Sequence, residues 1–230
     1  MLFRSSGLGI WDSLVAEFSG WYVSRAIDRG EGRKAFLSVL PVPVDPREAA
    51  KDSSISNGAS MLPEMVSTQV DTWKTITDTV ERYNEPGTFT AFIGWEWSSI
   101  PGGANLHRIV ITDGNASSAQ SYQPWGLDDS PYPEDLWAFL ERTSAATGDR
   151  FLAIPHNSNI SKGYMFDTSS LRGKPIDNDY ASRRMRWEPV AEITQIKGDS
   201  ETHPSLSPDD EFADFETYPF YIQNGYTPYQ

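Results

Sequence analysis

The sequence predicts an α/β protein with a largely parallel sheet. Two observations carry the prediction. Segments of helical period alternate with short apolar runs of strand type, and three of those runs give way at their C-terminal ends to polar residues that can bind a metal. In open and barrel-like α/β folds the carboxyl ends of parallel strands share one mouth, so residues placed there converge. At 230 residues the chain is long enough for one sizeable core, and one domain is the expectation.

The elements follow in order. Residues 1–60 form a poorly defined N-terminal segment. Leu14 to Phe18 and Trp21 to Ile27 can be read as helical, Phe36 to Val44 as a strand interrupted by Pro41 and Pro43, and Asp45 to Ser60 as a polar loop. The main domain is expected over 61–216. Val66, Val70, Trp73, Ile76 and Val80 recur at steps of four, three, three and four, one face of a helix that Asn84 to Gly87 stops. Phe89 to Trp95 is an apolar run that breaks on Glu96, passes through Pro101-Gly102-Gly103 and restarts as a second strand led by His107.

Asp113 to Pro131 reads as a polar and aromatic loop. Within it Asn115-Ala116-Ser117 fits a glycosylation sequon only weakly. Pro133 with Glu134 and Asp135 opens a helix carrying Leu136, Phe139 and Leu140, and Gly148 closes it. Phe151 to Ile154 is then a short buried strand ending in Pro155-His156-Asn157. A helix over about Asp177 to Trp187 leads to a strand over Val190 to Ile196, followed by Asp199-Ser200-Glu201-Thr202-His203. Residues 217–230 are a Tyr-rich tail without pattern.

Composition narrows the chemistry. The net charge is −13, and no basic patch stands out, since the Arg183-Arg184-Met185-Arg186 cluster sits among acids and aromatics; nucleic acid is therefore not an expected partner. There is no Cys, which removes disulfides, thiolate metal sites and Cys nucleophiles. No run of about 18 apolar residues is present, so no membrane span is expected. The N-terminus does not read as a signal peptide, leaving cytoplasm or periplasm.

All three histidines lie in the strand-end segments. Neutral imidazole and carboxylate are ligands for Zn, Mn or Fe, and such an ion lowers the pKa of bound water enough to supply hydroxide near neutral pH. Glu96, His107 and His156 are the candidate metal-binding and catalytic residues. Each has a plainer reading, as a strand-end acid paired with an Arg, a cross-strand polar contact, or a structural hydrogen-bonder. Arg108, Asn157, Lys197 and His203 are candidate substrate-binding residues, and Glu192 fits a salt bridge as well as catalysis. Ser98 and Ser99 lack an identifiable base, and no nucleophile elbow or phosphate-binding loop occurs.

The segments YNEPGTFTAFIGWEWSSIPGGANLHRIVI, PEDLWAFLE, LAIPHNSNISKGYMF and EPVAEITQIKGDSETHPSLSPDDEFADFE resemble the bacterial family known as domain of unknown function 3604. That family is similar to the polymerase-and-histidinol-phosphatase superfamily of metal-dependent phosphoesterases. The resemblance implies a distorted (β/α) barrel whose mouth holds two or three divalent metals, and hydrolysis of an anionic ester by metal-activated water. It matches Gly94-Trp95-Glu96 to a bridging acid, His107 to the ligand opening the next strand, and His156 to a strand-end ligand. The superfamily's opening His-x-His pair has no counterpart, since residues 1–72 contain no His. Asp199 to His203 is not equated with its closing Ser-Asp-x-His motif.

Four strand-like runs and a fifth over Phe36 to Leu40 fall short of a full barrel. The expectation is thus an incomplete barrel: a small-molecule phosphate or sulfate ester hydrolase in its complete form, with part of the metal shell missing here. Two alternatives stay open. One is a truncated, catalytically inert fragment. The other is a carbohydrate- or peptide-binding module built on Trp95, Trp97 and Trp125.

Overall fold

The computed structural model describes residues 45–51, 66–126, 129–195, 198–199, 204–205 and 207–214. The readings made for residues 1–44 and for the tail fall outside the described residues. Two helices come first, α1 over Pro46–Lys51 and α2 over Val66–Tyr83. Strand β1, Ile93–Trp97, is followed by a 3₁₀ turn at Pro101–Gly103 and by β2, Arg108–Thr112. Then come α3 over Ala116–Ala119, α4 over Pro133–Thr147, β3 over Phe151–Pro155 and α5 over Asn178–Trp187. A separate two-stranded ladder pairs Thr194–Gln195, β4, with Gly198–Asp199, β5.

The sheet overturns the expected architecture. Its order is β1-β2-β3 and both pairings are antiparallel, so the chain holds a small open antiparallel sheet and not a largely parallel, incomplete (β/α) barrel. The physical reason lies in the connections. An apolar run specifies burial but not direction, and residues 98–107 form a hairpin link too short for the crossover of about a dozen or more residues that parallel pairing requires. The fourth predicted strand, Val190 to Ile196, shrinks to Thr194–Gln195, and Val190 and Ile193 are exposed.

The three longer helices read from the sequence, over 66–83, 133–147 and 178–187, agree with the structure, whereas Pro46–Lys51 and Ala116–Ala119, read as loop, are short helices. Trp73 and Thr77 form the inward side of α2 with Ile76 and Val80 partly covered, whereas Val70, placed by periodicity on the same face, is exposed. Gly148 closes α4 in the left-handed conformation, and Asp177 caps α5 by accepting from the Tyr180 amide.

Each sheet strand buries alternate residues and leaves those between them partly covered. Trp95, Trp97, Val110 and Ala153 face α2, α4 and α5 through Trp73, Leu136, Trp137, Leu140 and Trp187. Three indole N–H groups in this layer donate to carbonyls: Trp73 to Ala119 O at 2.8 Å, Trp97 to Ser130 O at 3.1 Å and Trp95 to Trp125 O at 3.2 Å. Gly94 is required by close approach, because a Cβ there would stand 2.5 Å from the Val110 carbonyl oxygen.

A charged group lies inside this layer. Arg108, only 2% exposed, donates through Nε to Glu188 Oε1 at 2.9 Å and through Nη1 to the Leu106 carbonyl. Glu188 also accepts from Trp137 Nε1 at 2.8 Å and from Arg184 Nε at 3.0 Å. One carboxylate thus serves two guanidiniums and an indole. Removing its charge leaves Arg108 uncompensated in the core and Arg184 uncompensated at its edge, and breaking a buried pair costs about 3–5 kcal/mol. Glu188→Gln is expected to lower the unfolding free energy by that amount in urea titrations; a loss under about 1 kcal/mol contradicts this account.

Candidate metal centre

Strand alternation builds the site. The register pairs Trp97 with Arg108 and Arg108 with Pro155, and a backbone bond from His156 N to His107 O at 3.2 Å extends the ladder by one residue. Trp97, Arg108 and Pro155 therefore share the helix-covered face, and Glu96, His107 and His156 share the other. The strands β1 and β3 end where β2 begins, so antiparallel pairing brings the three residues to one end of the sheet.

The three side chains are close and nearly shut off from solvent. His107 Nδ1 lies 3.0 Å from Glu96 Oε1, and His156 Nε2 lies 3.7 Å from Glu96 Oε2, with side-chain exposures of 6%, 5% and 11% for His107, His156 and Glu96. The two rings meet edge to face, centroids 5.7 Å apart. One ligand atom from each residue can be chosen so that all lie within 4.8 Å of one another. A tetrahedral ion with bonds of about 2.1 Å holds its ligands roughly 3.4 Å apart, so side-chain rotation of modest size suffices. His107 Nε2 is buried with no hydrogen-bond partner among the described residues, so a lone pair of this ring can be given to a metal. Two imidazoles and one carboxylate suit a catalytic zinc or a non-haem iron centre, and the donor set fits.

Electrostatics keep the carboxylate ionised. Burial alone would raise the Glu96 carboxyl, but the hydrogen bond from His107, the charges on both histidines and the Ser98 hydroxyl, which donates to Oε1 at 2.8 Å, together hold it down at about 2.

The other candidates are distributed differently. Asn157 is 1% exposed and sets its Nδ2 3.3 Å from His107 Nδ1. Arg108 does not join the cluster: being next to His107, it points to the opposite face and is engaged by Glu188. Lys197 and His203 lie outside the described residues. Glu192 comes beside the cluster, its carboxylate accepting from the Asn157 amide at 3.4 Å and its own amide donating to Pro155 O at 2.9 Å. Ser98 was dismissed from the sequence as a nucleophile lacking a base, yet its i,i+2 spacing from Glu96 already put both on one strand face. Trp95 and Trp97 are core residues, 3% and 0% exposed, which takes from the binding-module alternative two of its three named aromatics.

Among the described residues no helix is long and apolar enough to cross a membrane. A family model described as "Protein of unknown function (DUF3604)" matches residues 23–230. No curated protein and no solved structure matches the chain.

Because the folded-state value of Glu96 lies below its ordinary 4.5, the carboxylate contributes stability that is fully present above about pH 4.5 and is lost as pH falls toward about 2. Without added metal, wild-type protein is expected to lose urea stability over that window more steeply than Glu96→Gln. Parallel pH dependences would show that the histidines do not hold the carboxylate down.

Proposed function

We propose that this chain, which belongs to the DUF3604 family, is a metal-dependent hydrolase of phosphate or sulfate esters, of the chemical kind carried out by the polymerase-and-histidinol-phosphatase superfamily. The observation that carries the reading is the convergence of Glu96, His107 and His156, a carboxylate and two imidazoles brought together at one end of the three-stranded sheet, together with a buried His107 Nε2 that has no partner among the described residues. Such a cluster is costly to bury as a purely structural device, since two imidazoles and a carboxylate lose their hydration together.

In this reading Glu96, His107 and His156 hold a divalent ion, Zn, Mn or Fe. Once bound, the ion supplies Lewis-acid polarisation of the ester and acidifies a water molecule. The chain's own residues do the rest. Ser98 fixes one oxygen of Glu96 by donating to it, and the enclosure of the cluster excludes bulk water and so strengthens every charge interaction within it. Arg108 has no part in clamping the substrate, because its guanidinium is bound to Glu188 and Leu106. The donor set alone equally suits an iron-dependent oxygen chemistry. The ester reading is preferred for its agreement with the motif Gly94-Trp95-Glu96 followed by His107 and His156.

Calorimetric titration with Zn²⁺, Mn²⁺ and Fe²⁺, followed by turnover of nitrophenyl phosphate and nitrophenyl sulfate, tests the proposal. Saturable binding is expected, weakened by more than about 100-fold in Glu96→Gln, His107→Ala and His156→Ala, since these would be direct ligands and even outer partners cost about 10- to 100-fold. Binding that ignores these substitutions, or no binding at all, would mark the cluster as a structural hydrogen-bond network. Binding without ester turnover would retain the metal centre and remove the hydrolase assignment.

A further inference from the structure

We propose that Asn157 is a positioning residue of this centre: its carboxamide holds the His107 ring in the tautomer that leaves Nε2 available to a metal ion. The inference rests on the metal-centre reading above and deepens it.

Two groups contact the same ring nitrogen. His107 Nδ1 has Glu96 Oε1 at 3.0 Å and the Asn157 carboxamide nitrogen, Nδ2, at 3.3 Å. An imidazole lone pair facing a carboxylate oxygen is repulsive, so Nδ1 carries the proton and donates it to Glu96, and Nε2 keeps the lone pair. If Glu96 turns toward an ion, Nδ1–H loses that acceptor, and an unheld ring is free to exchange tautomers or rotate. A carboxamide presents an acceptor oxygen and a donor nitrogen at nearly equivalent places, so Asn157, by turning its carboxamide over to exchange Nδ2 for Oδ1, can take over the Nδ1–H bond through its oxygen. Ligating histidines characteristically have their other ring nitrogen bound in this way.

The backbone of Asn157 supports the same role. It adopts φ 67° and ψ 29°, and only it and Lys162 are non-glycine residues at positive φ among the described residues. Its amide donates to Glu192 Oε2 at 3.4 Å, and the side chain is 1% exposed, so the carboxamide is fixed from both ends. Asn is among the few residues that tolerate the left-handed region, and Gly tolerates it as well. Backbone and carboxamide can therefore be tested separately. Asn157→Gly keeps the conformation and deletes the carboxamide, whereas Asn157→Asp keeps both the conformation and an acceptor.

Two measurements decide the matter. In two-bond ¹H–¹⁵N spectra recorded without metal, His107 is expected to remain the Nδ1–H tautomer in Glu96→Ala, where Asn157 alone holds it, and to become a mixture in Glu96→Ala/Asn157→Gly. In Zn²⁺ calorimetry Asn157→Gly is expected to bind about 10- to 100-fold more weakly than wild type, with Asn157→Asp restoring affinity to within a few-fold.

A tautomer unchanged in the double variant, or Zn²⁺ affinity unchanged in Asn157→Gly, overturns the proposal. If Asn157→Gly does not fold, Glu96→Ala decides alone, since loss of the Nδ1–H tautomer there shows that nothing but Glu96 held it. Wild-type protein that binds no Zn²⁺, Mn²⁺ or Fe²⁺ defeats the metal-centre reading instead, and the spectra still decide whether Asn157 holds the ring.

Discussion

Everything at the candidate site depends on the register of three short strands. Glu96 and Trp97, His107 and Arg108, His156 and Pro155 are sequence neighbours that strand alternation sends to opposite faces. A slip of one residue in β1 would put an indole where the carboxylate stands, and a slip in β2 would exchange an imidazole for a guanidinium. Packing forbids such a slip. Trp95, Trp97 and Val110 fill a dense aromatic layer against the helices, and Gly94 admits no side chain against the Val110 carbonyl. The hydrophobic side of the sheet thereby fixes the chemistry of the polar side.

Two buried charge systems stand on the two faces of this sheet. On the helix side Glu188 neutralises Arg108 and Arg184 with hydrogen bonds that are all internal, a closed arrangement with no atom of Glu188 left over. On the other side Glu96 meets two histidines, and His107 Nε2 finds no partner among the described residues. The contrast is between a carboxylate whose two oxygens are both taken by cationic and indole donors of the chain and an imidazole that keeps one nitrogen unpartnered among the described residues.

The sequence made some of this legible. The helices over 66–83, 133–147 and 178–187 follow from apolar spacing and end signals, because those are local properties. Glu96, His107 and His156 stood out because a polar residue at the edge of an apolar run needs a reason. Strand direction was not legible, since an apolar run such as Phe151 to Ile154 reads alike in parallel and antiparallel pairing. Nor was the partner of Arg108, as Glu188 is distant in the chain and only the fold joins them. Convergence at one sheet end survived the wrong topology for a geometric reason: an antiparallel middle strand starts where its neighbours finish, so the beginning of β2 took the place that a third strand end would have held.

The link between β1 and β2 is unusual among loops in being built into the interior. Residues 101–107 are all buried, the Asn105 amide and side chain both donate to the Ile160 carbonyl, and Lys162 Nζ donates to Gly102 O at 2.6 Å. Surface loops ordinarily supply the moving parts of a site. A loop anchored in this manner behaves as masonry: its protected amides will exchange with deuterated solvent on the timescale of the sheet, and admission to the cluster must be governed by some other stretch of the chain.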